Sequence, residues 1–240
     1  MGIPTLLAAA FLVLLASSSA KAETGPCLPD QNAGLTCGQG NGAARVVEGT
    51  ISPSKRLAFA WRSANHPPTE DPTGDAIESL LIRLSDGVAL WSAESDYWDT
   101  GAGKVNHIEE AAAWSPNSRF AVETADFRWY TQHLRLYAIG ADDMPLTLDL
   151  QAIIEPAVRK QLRQTVKHEP DYDFGIFGSA NGEHPHLTID DRGLIKGVVM
   201  MAIPRKDLYA MYDITFQVSQ RNGALGAREV FVRRSRTKPY

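Results

Sequence analysis

The residues best suited to catalysis or metal binding are concentrated in one polar segment, 168–186. The candidate metal ligands there are His168, Asp171, Asp173, His184 and His186. On an extended segment His184 and His186 would point to the same side, as a pair of zinc ligands must. A carboxylate from the segment would then serve as general base for metal-bound water, which predicts a small metal-assisted hydrolase. The alternative is a solvated polar loop joining two elements, because the spacing matches no calcium loop.

A second group of candidates combines aromatic rings with charged side chains. The residues are Tyr97, Trp98, Asp99, Arg128, Trp129 and Tyr130. On loops at one edge of two sheets, such rings would bind a sugar ring or a peptide by stacking and hydrogen bonding. This predicts a carbohydrate- or peptide-binding module in which Trp98 and Trp129 lie near one another. Core packing is the alternative for each tryptophan.

The common local templates of catalysis are absent. The sequence contains no Gly-x-Ser-x-Gly elbow, no His-Glu-x-x-His, no Walker loop and no Gly-x-Gly-x-x-Gly. The usual hydrolase, zinc-protease and nucleotide-binding classes therefore have no local support. We expect no cofactor, and binding without catalysis is the favoured function.

The amino terminus has the pattern of an export signal over residues 1–22. Leu6–Leu15 is an uninterrupted apolar run, and Ala20-Lys21-Ala22 places small residues at the cleavage positions. The run is too short to span a bilayer, and no later segment approaches the ~18 apolar residues that a span requires. This predicts a secreted protein, with the bacterial periplasm as the expected location.

The two cysteines, Cys27 and Cys37, lie close to the expected new amino terminus. In an oxidising compartment they most simply close one small loop, worth about 2 to 3 kcal/mol. A redox-active or metal-binding pair would need a closer Cys-x-x-Cys spacing and further ligands. We therefore expect a disulfide that pins an amino-terminal segment, 23–44.

Charge and composition limit the possible partners. Without Lys21 the chain has 23 basic residues against 28 acidic ones, so it has no overall positive field and nucleic acid is a poor partner. The apolar fraction of 44% is that of an ordinary globular protein. The expected partner is another envelope protein or a small polar ligand.

An internal repeat indicates how these residues are positioned. Ser52–Phe59 and Ser115–Val122 share a Ser-Pro turn followed by alternating apolar residues, and the copies lie 63 positions apart. The Ser-Pro pair suits the first two positions of a type I turn, and the alternation predicts a half-buried strand. Repeated β units that bury their faces on one another make binding surfaces or scaffolds more readily than catalytic sites.

The same periodicity divides the chain into units. Residues 45–150 are predicted to form two repeated β units, with strands over 45–50, 56–62, 79–84, 88–92, 107–114, 119–125, 132–139 and 146–150. Residues 168–240 are predicted to form a carboxy-terminal β unit that ends in a basic tail. In this unit Asp190-Asp191-Arg192-Gly193 is a degraded version of the Ser-Pro turn.

Between the second and third units the period changes from two to about four. An apolar stripe predicts an amphipathic helix over about 150–167, and its members are Leu150, Ile154, Val158, Leu162 and Val166. Pro156 is expected to start or kink this helix. The basic residues off the stripe would be a docking face for an anionic partner or a solvated face, and they are Arg159, Lys160, Arg163 and Lys167.

The second copy of the repeat, Trp114-Ser-Pro-Asn-Ser-Arg-Phe-Ala-Val122, resembles the blade repeat of periplasmic Tol-system propellers and of prolyl oligopeptidase-like propeller domains. The resemblance covers about ten residues in each of two copies. It implies propeller-like sheets and a binding role. The predicted fold is therefore mainly β, with propeller-like or stacked antiparallel four-stranded sheets and one amphipathic helix.

Overall fold

The computed structural model describes residues 23–31, 33–72, 74–93, 95–101, 108–127, 130–165, 172–176, 187–203 and 208–236. Over these ranges the protein is mainly β, with three antiparallel sheets and one helix. The predicted export signal, 1–22, lies outside the described residues.

The first sheet has six strands in the order β1-β2-β3-β4-β5-β6. Their bounds are β1 Glu23–Pro29, β2 Leu35–Gln39, β3 Ala44–Val46, β4 Leu57–Ser63, β5 Ile77–Arg83 and β6 Ala89–Ala93. Strands β3 to β6 correspond to the four strands predicted for the first unit. The hairpin β1–β2 joins them because Thr36 and Cys37 pair with Arg45 and Ala44 of β3.

The other two sheets follow in chain order. The second has the order β10-β9-β8-β7, with β7 Ile108–Trp114, β8 Phe120–Phe127, β9 Tyr130–Ile139 and β10 Pro145–Asp149. The third has the order β11-β13-β14-β15, with β12 also pairing β13; the bounds are β11 Asp173–Ile176, β12 Leu187–Ile189, β13 Leu194–Ile203, β14 Leu208–Arg221 and β15 Ala224–Arg234. The prediction of four strands per sheet thus holds for the second sheet, whereas the first has six strands and the third has five.

Each sheet contains one turn of the repeated kind. In all three, a side-chain oxygen of the first turn residue accepts a hydrogen bond from the backbone N–H of the residue that opens the next strand. The pairs are Ser52 with Leu57 at 3.1 Å, Ser115 with Phe120 at 3.0 Å and Asp190 with Leu194 at 2.8 Å. The carboxylate of Asp190 therefore takes the place of the two serine hydroxyls.

The three turns lie side by side. The Ser118 hydroxyl accepts from the Ser54 backbone N–H at 2.9 Å, and the Asp191 carboxylate accepts from the Asn117 backbone N–H at 2.8 Å. Each bond joins the turn of one sheet to the turn of the next. The sheets are consequently stacked in chain order, with equivalent ends aligned.

The second sheet is packed on both faces. Against the first sheet, Phe59 makes an edge contact with Tyr137 at 5.2 Å between ring centroids. Against the third sheet and the helix it contributes Val122, Leu134 and Leu136 to the largest apolar cluster. Because both faces of the sheet are covered, the inner strand β8 has no side that faces water along its middle residues.

The single helix of the described residues, α1, spans Gln151–Thr165. The predicted stripe is confirmed for four of its five members, because Leu150, Ile154, Val158 and Leu162 are all buried. Val166 lies outside the described residues. The Asp149 carboxylate accepts from the Ala152 backbone N–H at 3.0 Å and so caps the first turn.

The disulfide hairpin β1–β2 covers the outer face of the first sheet. Cys27 and Cys37 are joined, as the sequence predicted. The apolar cluster beneath the hairpin contains Cys37, Ala44, Val46, Ala58, Ala60, Leu80 and Ile82. The Cys27 backbone N–H also donates to the Leu84 carbonyl at 3.0 Å. The hairpin thus folds back over strands β4 and β5.

No helix in the described part of the chain is long and apolar enough to cross a membrane.

Candidate functional site

An open cleft of about 580 Å³ lies between α1 and strand β9. Its walls are formed by Gln132, His133, Leu134, Arg135, Asp149, Gln151, Ala152, Glu155, Pro156, Arg159, Lys160 and Arg163. The volume is within the usual range for small-molecule sites.

The cleft exists because β10 is shorter than β9. Strand β10 pairs only with Arg135–Ile139, after which the Leu150 N–H donates to the Leu134 carbonyl and the chain turns into α1. The first half of β9 therefore has a helix beside it instead of a strand. The helix presents Ala152 and Pro156 to the cleft. These compact side chains leave the space between the two elements open.

The charges of the cleft are predominantly positive. Arg135, Arg159, Lys160 and Arg163 outnumber the acidic Asp149 and Glu155. The whole chain has a formal net charge of −4, so the cleft is locally opposite in sign to the molecule.

Arg159 is held in place within this wall. Its guanidinium forms an ion pair with Glu155 at 2.8 Å and donates to the Tyr172 carbonyl at 2.9 Å. Tyr172 is buried directly before β11. The arginine thus ties the helix to the third sheet and keeps a positive charge at the cleft.

Pro156 leaves one helical carbonyl without its usual donor. An interior proline has no N–H to offer to the carbonyl four residues earlier, which here belongs to Ala152. Both residues line the cleft. The wall therefore contains a backbone acceptor that the helix itself does not satisfy in the standard way.

His133 connects the cleft to a buried polar cluster between the first and second sheets. His133 Nε2 lies 3.4 Å from Glu123 Oε2, and the Tyr137 hydroxyl donates to the same carboxyl oxygen. Ser79 donates to Glu110 Oε2 at 3.4 Å. Burial, and next the nearby Glu123, hold the pKa of Glu110 well above its ordinary value. The Oε1 atoms of both glutamates are buried without a hydrogen-bond partner.

The predicted metal ligands are only partly described. Asp173 opens β11, whereas His168, Asp171, His184 and His186 lie outside the described residues. Where the structure describes the chain, no group of three or more histidine, cysteine, aspartate or glutamate side chains is arranged to hold a metal ion. The metal-site hypothesis therefore stays a prediction from sequence.

The predicted aromatic residues fall in two places. Tyr97, Trp98 and Asp99 follow β6 and are half-buried. The Asp99 carboxylate accepts from Arg45 Nε and Trp61 Nε1, each at 3.0 Å, and burial raises the pKa of the Tyr97 hydroxyl. Asp99 is thus bonded to the first sheet.

Tyr130 opens β9, is 41% exposed, and has its ring centroid 5.7 Å from that of Phe127. Arg128 and Trp129 lie outside the described residues. The meeting of Trp98 with Trp129 stays a prediction.

Three basic residues of the cleft, Arg159, Lys160 and Arg163, were predicted from the sequence as part of a helical face. The opposite wall, Gln132–Arg135, was not predicted. That stretch belongs to a strand whose alternation carries no sign of the helix beside it. Pro156 within an apolar stripe was the one local signal.

No protein-family model, no curated protein and no solved structure matches this chain.

Proposed function

We propose that this chain is an exported, non-catalytic binding protein that holds a small anionic ligand in the cleft between α1 and β9. One observation carries the proposal: an open cleft with a local excess of basic side chains in a chain whose net charge is −4. Guanidinium and ammonium groups are the usual partners of carboxylates and phosphates. No residue of the cleft is assigned a catalytic role.

The architecture supports a binding role of this kind. Three sheets with equivalent turns are joined by hydrogen bonds between those turns, and α1 and the shortened β10 are departures from the repeat. A site beside such a departure combines a stable scaffold with an irregular surface. The aligned turns also support a propeller-like arrangement of the three units. The Cys27–Cys37 disulfide supports an oxidising compartment such as the periplasm.

The test is a nuclear magnetic resonance titration of the protein with citrate and, separately, with inorganic phosphate. We expect one of these anions to shift the backbone amides of Gln132–Arg135 and of the cleft-facing residues of α1. Lys160→Gln and Arg163→Gln should each weaken binding about tenfold, as expected for loss of a charge-assisted hydrogen bond.

Arg192→Gln is the matched control. It removes the same charge from an exposed turn residue whose side chain is 84% accessible. Equal weakening by all three substitutions would mean that only the overall charge matters, and the proposed site would then be wrong. The absence of any cleft shift with both anions would have the same meaning.

A further inference from the structure

Resting on the proposed function, we infer that the cleft binds its anion together with one proton, which the imidazole ring of His133 takes up. The charged ring is then part of the anion site, and the affinity of the cleft for an anion falls as the pH rises. Two observations carry this inference: His133 lines the cleft, and its Nε2 atom meets a buried carboxyl group behind the cleft wall.

Half of the basic side chains in the cleft stand beside an acidic partner. Arg135 lies opposite Asp149 in the register of β9 and β10, and Arg159 forms an ion pair with Glu155. The basic residues outside these two pairs are Lys160 and Arg163. Four basic and two acidic side chains thus give an excess of two positive charges, and a proton on His133 raises that excess to three.

The ring of His133 lies on the face of β9 that meets the first sheet. Leu134 belongs to the apolar cluster shared with the third sheet, and successive side chains of a strand point to opposite faces. On its own face, His133 Nε2 lies 3.4 Å from Oε2 of the fully buried Glu123. The His133 side chain as a whole is 8% exposed, so the ring can exchange protons with solvent.

The contact with Glu123 decides which ring nitrogen of His133 titrates. No described residue forms a hydrogen bond with Nε2, and the Tyr137 hydroxyl already donates to Glu123 Oε2. If Nε2 carried no proton, two acceptors would face each other, so in the neutral ring the proton lies on Nε2. Nδ1 is consequently the atom that gains the proton when the ring becomes charged.

Charged and titratable groups surround His133 on both sides. Within the protein they are Glu123 and Asp126 from β8, Tyr137 from β9, Glu110 from β7 and Tyr97 after β6. In the cleft they are Arg135, Asp149, Glu155, Arg159, Lys160 and Arg163. The third sheet covers the other face of β9, so its Asp173 is separated from the ring by the strand.

Glu110 acts in the same direction as His133 but from farther away. Glu110 and His133 both pair with Ala125, one from each side of β8, so a strand lies between them. Burial and the nearby Glu123 hold the pKa of Glu110 well above its ordinary value, so Glu110 ionises late as the pH rises. Its negative charge would also disfavour an anion, and the experiment must therefore separate the two residues.

Binding of the anion and protonation of His133 reinforce each other. A positive charge brought within several Å of an anion at a partly exposed site strengthens binding by about tenfold. Because such coupling is reciprocal, the bound anion raises the proton affinity of the ring by the same factor. The cleft therefore binds most tightly below the titration midpoint of the ring and loses that gain above it.

The experiment is a proton NMR titration of the His133 ring in the full chain, recorded free and then saturated with the anion that shifts the cleft amides, citrate or phosphate. We expect the bound anion to raise the midpoint by about one pH unit, which corresponds to a tenfold coupling. His66 is the internal control because its ring is bonded to Asp75 and does not line the cleft. Its midpoint should be the same in both titrations.

Two matched variants assign the proton. At pH 5.5 the native chain should bind the anion about tenfold more tightly than His133→Gln, and at pH 8 the two should bind equally. Protonation of the anion itself affects both chains alike and cancels in this ratio. His66→Gln, the same substitution outside the cleft, should follow the native chain at both pH values. If His133→Gln does not fold, the titration of the native chain still decides.

Each contrary outcome points to a different failure. Cleft amides that shift while the His133 midpoint stays unchanged, or a ring that titrates in neither state, overturn the proton inference and leave the anion site standing. A loss of affinity with pH that is equally large in His133→Gln assigns the proton to Glu110 and also overturns it. If neither citrate nor phosphate shifts the cleft, the proposed function fails.

Discussion

At the scale of single residues, the loop after β4 is organised by one carboxylate. Asp75 accepts hydrogen bonds from the Ser63 hydroxyl, from His66 Nδ1 at 2.6 Å and from Asn65 Nδ2 at 3.2 Å. The Ser63 bond first, then those from His66 and Asn65, hold the pKa of Asp75 at about 2. In turn the bond to Asp75 raises the pKa of His66 above its ordinary 6.5.

A proton NMR titration of the His66 ring should therefore give a midpoint above 6.5. The Asp75 contribution to stability is present above pH 3.8 and is lost as the pH falls through about 2. The His66 contribution is present below pH 6.5 and is lost as the pH rises through its raised, folded-state pKa. The Asp75–His66 pair therefore stabilises the loop most between pH 3.8 and pH 6.5.

Two substitutions test this assignment. Asp75→Asn should bring the His66 midpoint down to the ordinary histidine range, because the main hydrogen bond to a charged partner is lost. Glu70→Gln is the control. Glu70 raises the pKa of His66 only through its charge, and less than the Asp75 hydrogen bond does, so this substitution should lower the midpoint less than Asp75→Asn. An unchanged midpoint in Asp75→Asn would contradict the prediction.

At the scale of elements, the hairpin β1–β2 acts as a cover for the first sheet. The cross-link closes a segment of 10 positions and keeps the hairpin over an apolar face. Sheet faces of this kind must be covered by another layer, and here the amino-terminal segment supplies that layer.

Replacing both cysteines with alanine should lower the free energy of unfolding by about 2 to 3 kcal/mol, because the unfolded chain gains the freedom of an open loop. Denaturant unfolding measures this loss. The exposed apolar face should also bind a hydrophobic dye more strongly in the variant.

Reductant provides the control for this experiment. It should lower the stability of the native chain by the same amount and leave the double alanine variant unaffected. A variant as stable as the native protein, with no increase in dye binding, would show that the hairpin stays in place without its cross-link.

At the scale of the whole molecule, the interface between the first two sheets contains a buried acidic pair. Glu110 and Glu123 come from β7 and β8 of the second sheet, and Ser79 meets Glu110 from β5 of the first. Tyr137 and His133 contact Glu123 from β9. Burial and the neighbouring Glu123 raise the pKa of Glu110, so the folded protein retains a proton that the unfolded chain would release.

The interface should therefore weaken as the pH rises. Below pH 4.5, the ordinary value, the Glu110 carboxyl is protonated in both the folded and the unfolded state and has no effect. Above it the unfolded chain ionises first, and stability falls with pH until Glu110 ionises in the folded state as well. Thermal melts across this range should show that the midpoint of Glu110→Gln rises relative to that of the native protein as the pH increases.

Glu48→Gln, at an exposed position, is the matched control because it removes a carboxylate that lies outside this interface. A constant difference between Glu110→Gln and the native protein would contradict the prediction, because it would indicate a packing effect without a proton.

Local signals in the sequence determined much of the fold. Ser52 and Ser115 were predicted as turn residues because a Ser-Pro pair suits the first two positions of a type I turn, and in the structure their hydroxyls accept hydrogen bonds from the backbone five positions later. Asp190-Asp191-Arg192-Gly193 was interpreted as a degraded version of this turn, and in the structure the Asp190 carboxylate accepts the corresponding bond from Leu194. The helix followed from its apolar stripe, and the disulfide from the number and spacing of the cysteines. Each of these features depends on residues close together in the chain.

The candidate site depended on surfaces that meet only in the tertiary structure. Glu123 lies in an alternating strand pattern that predicts one wet face, yet it is fully buried because sheets pack on both sides of β8. Arg135 and Lys160 share a cleft only because β10 ends early and α1 takes its place beside β9. Periodicity tells which side of an element is apolar. It carries no information about which other element will cover that side. The packing of the whole chain therefore decides where charged side chains come together.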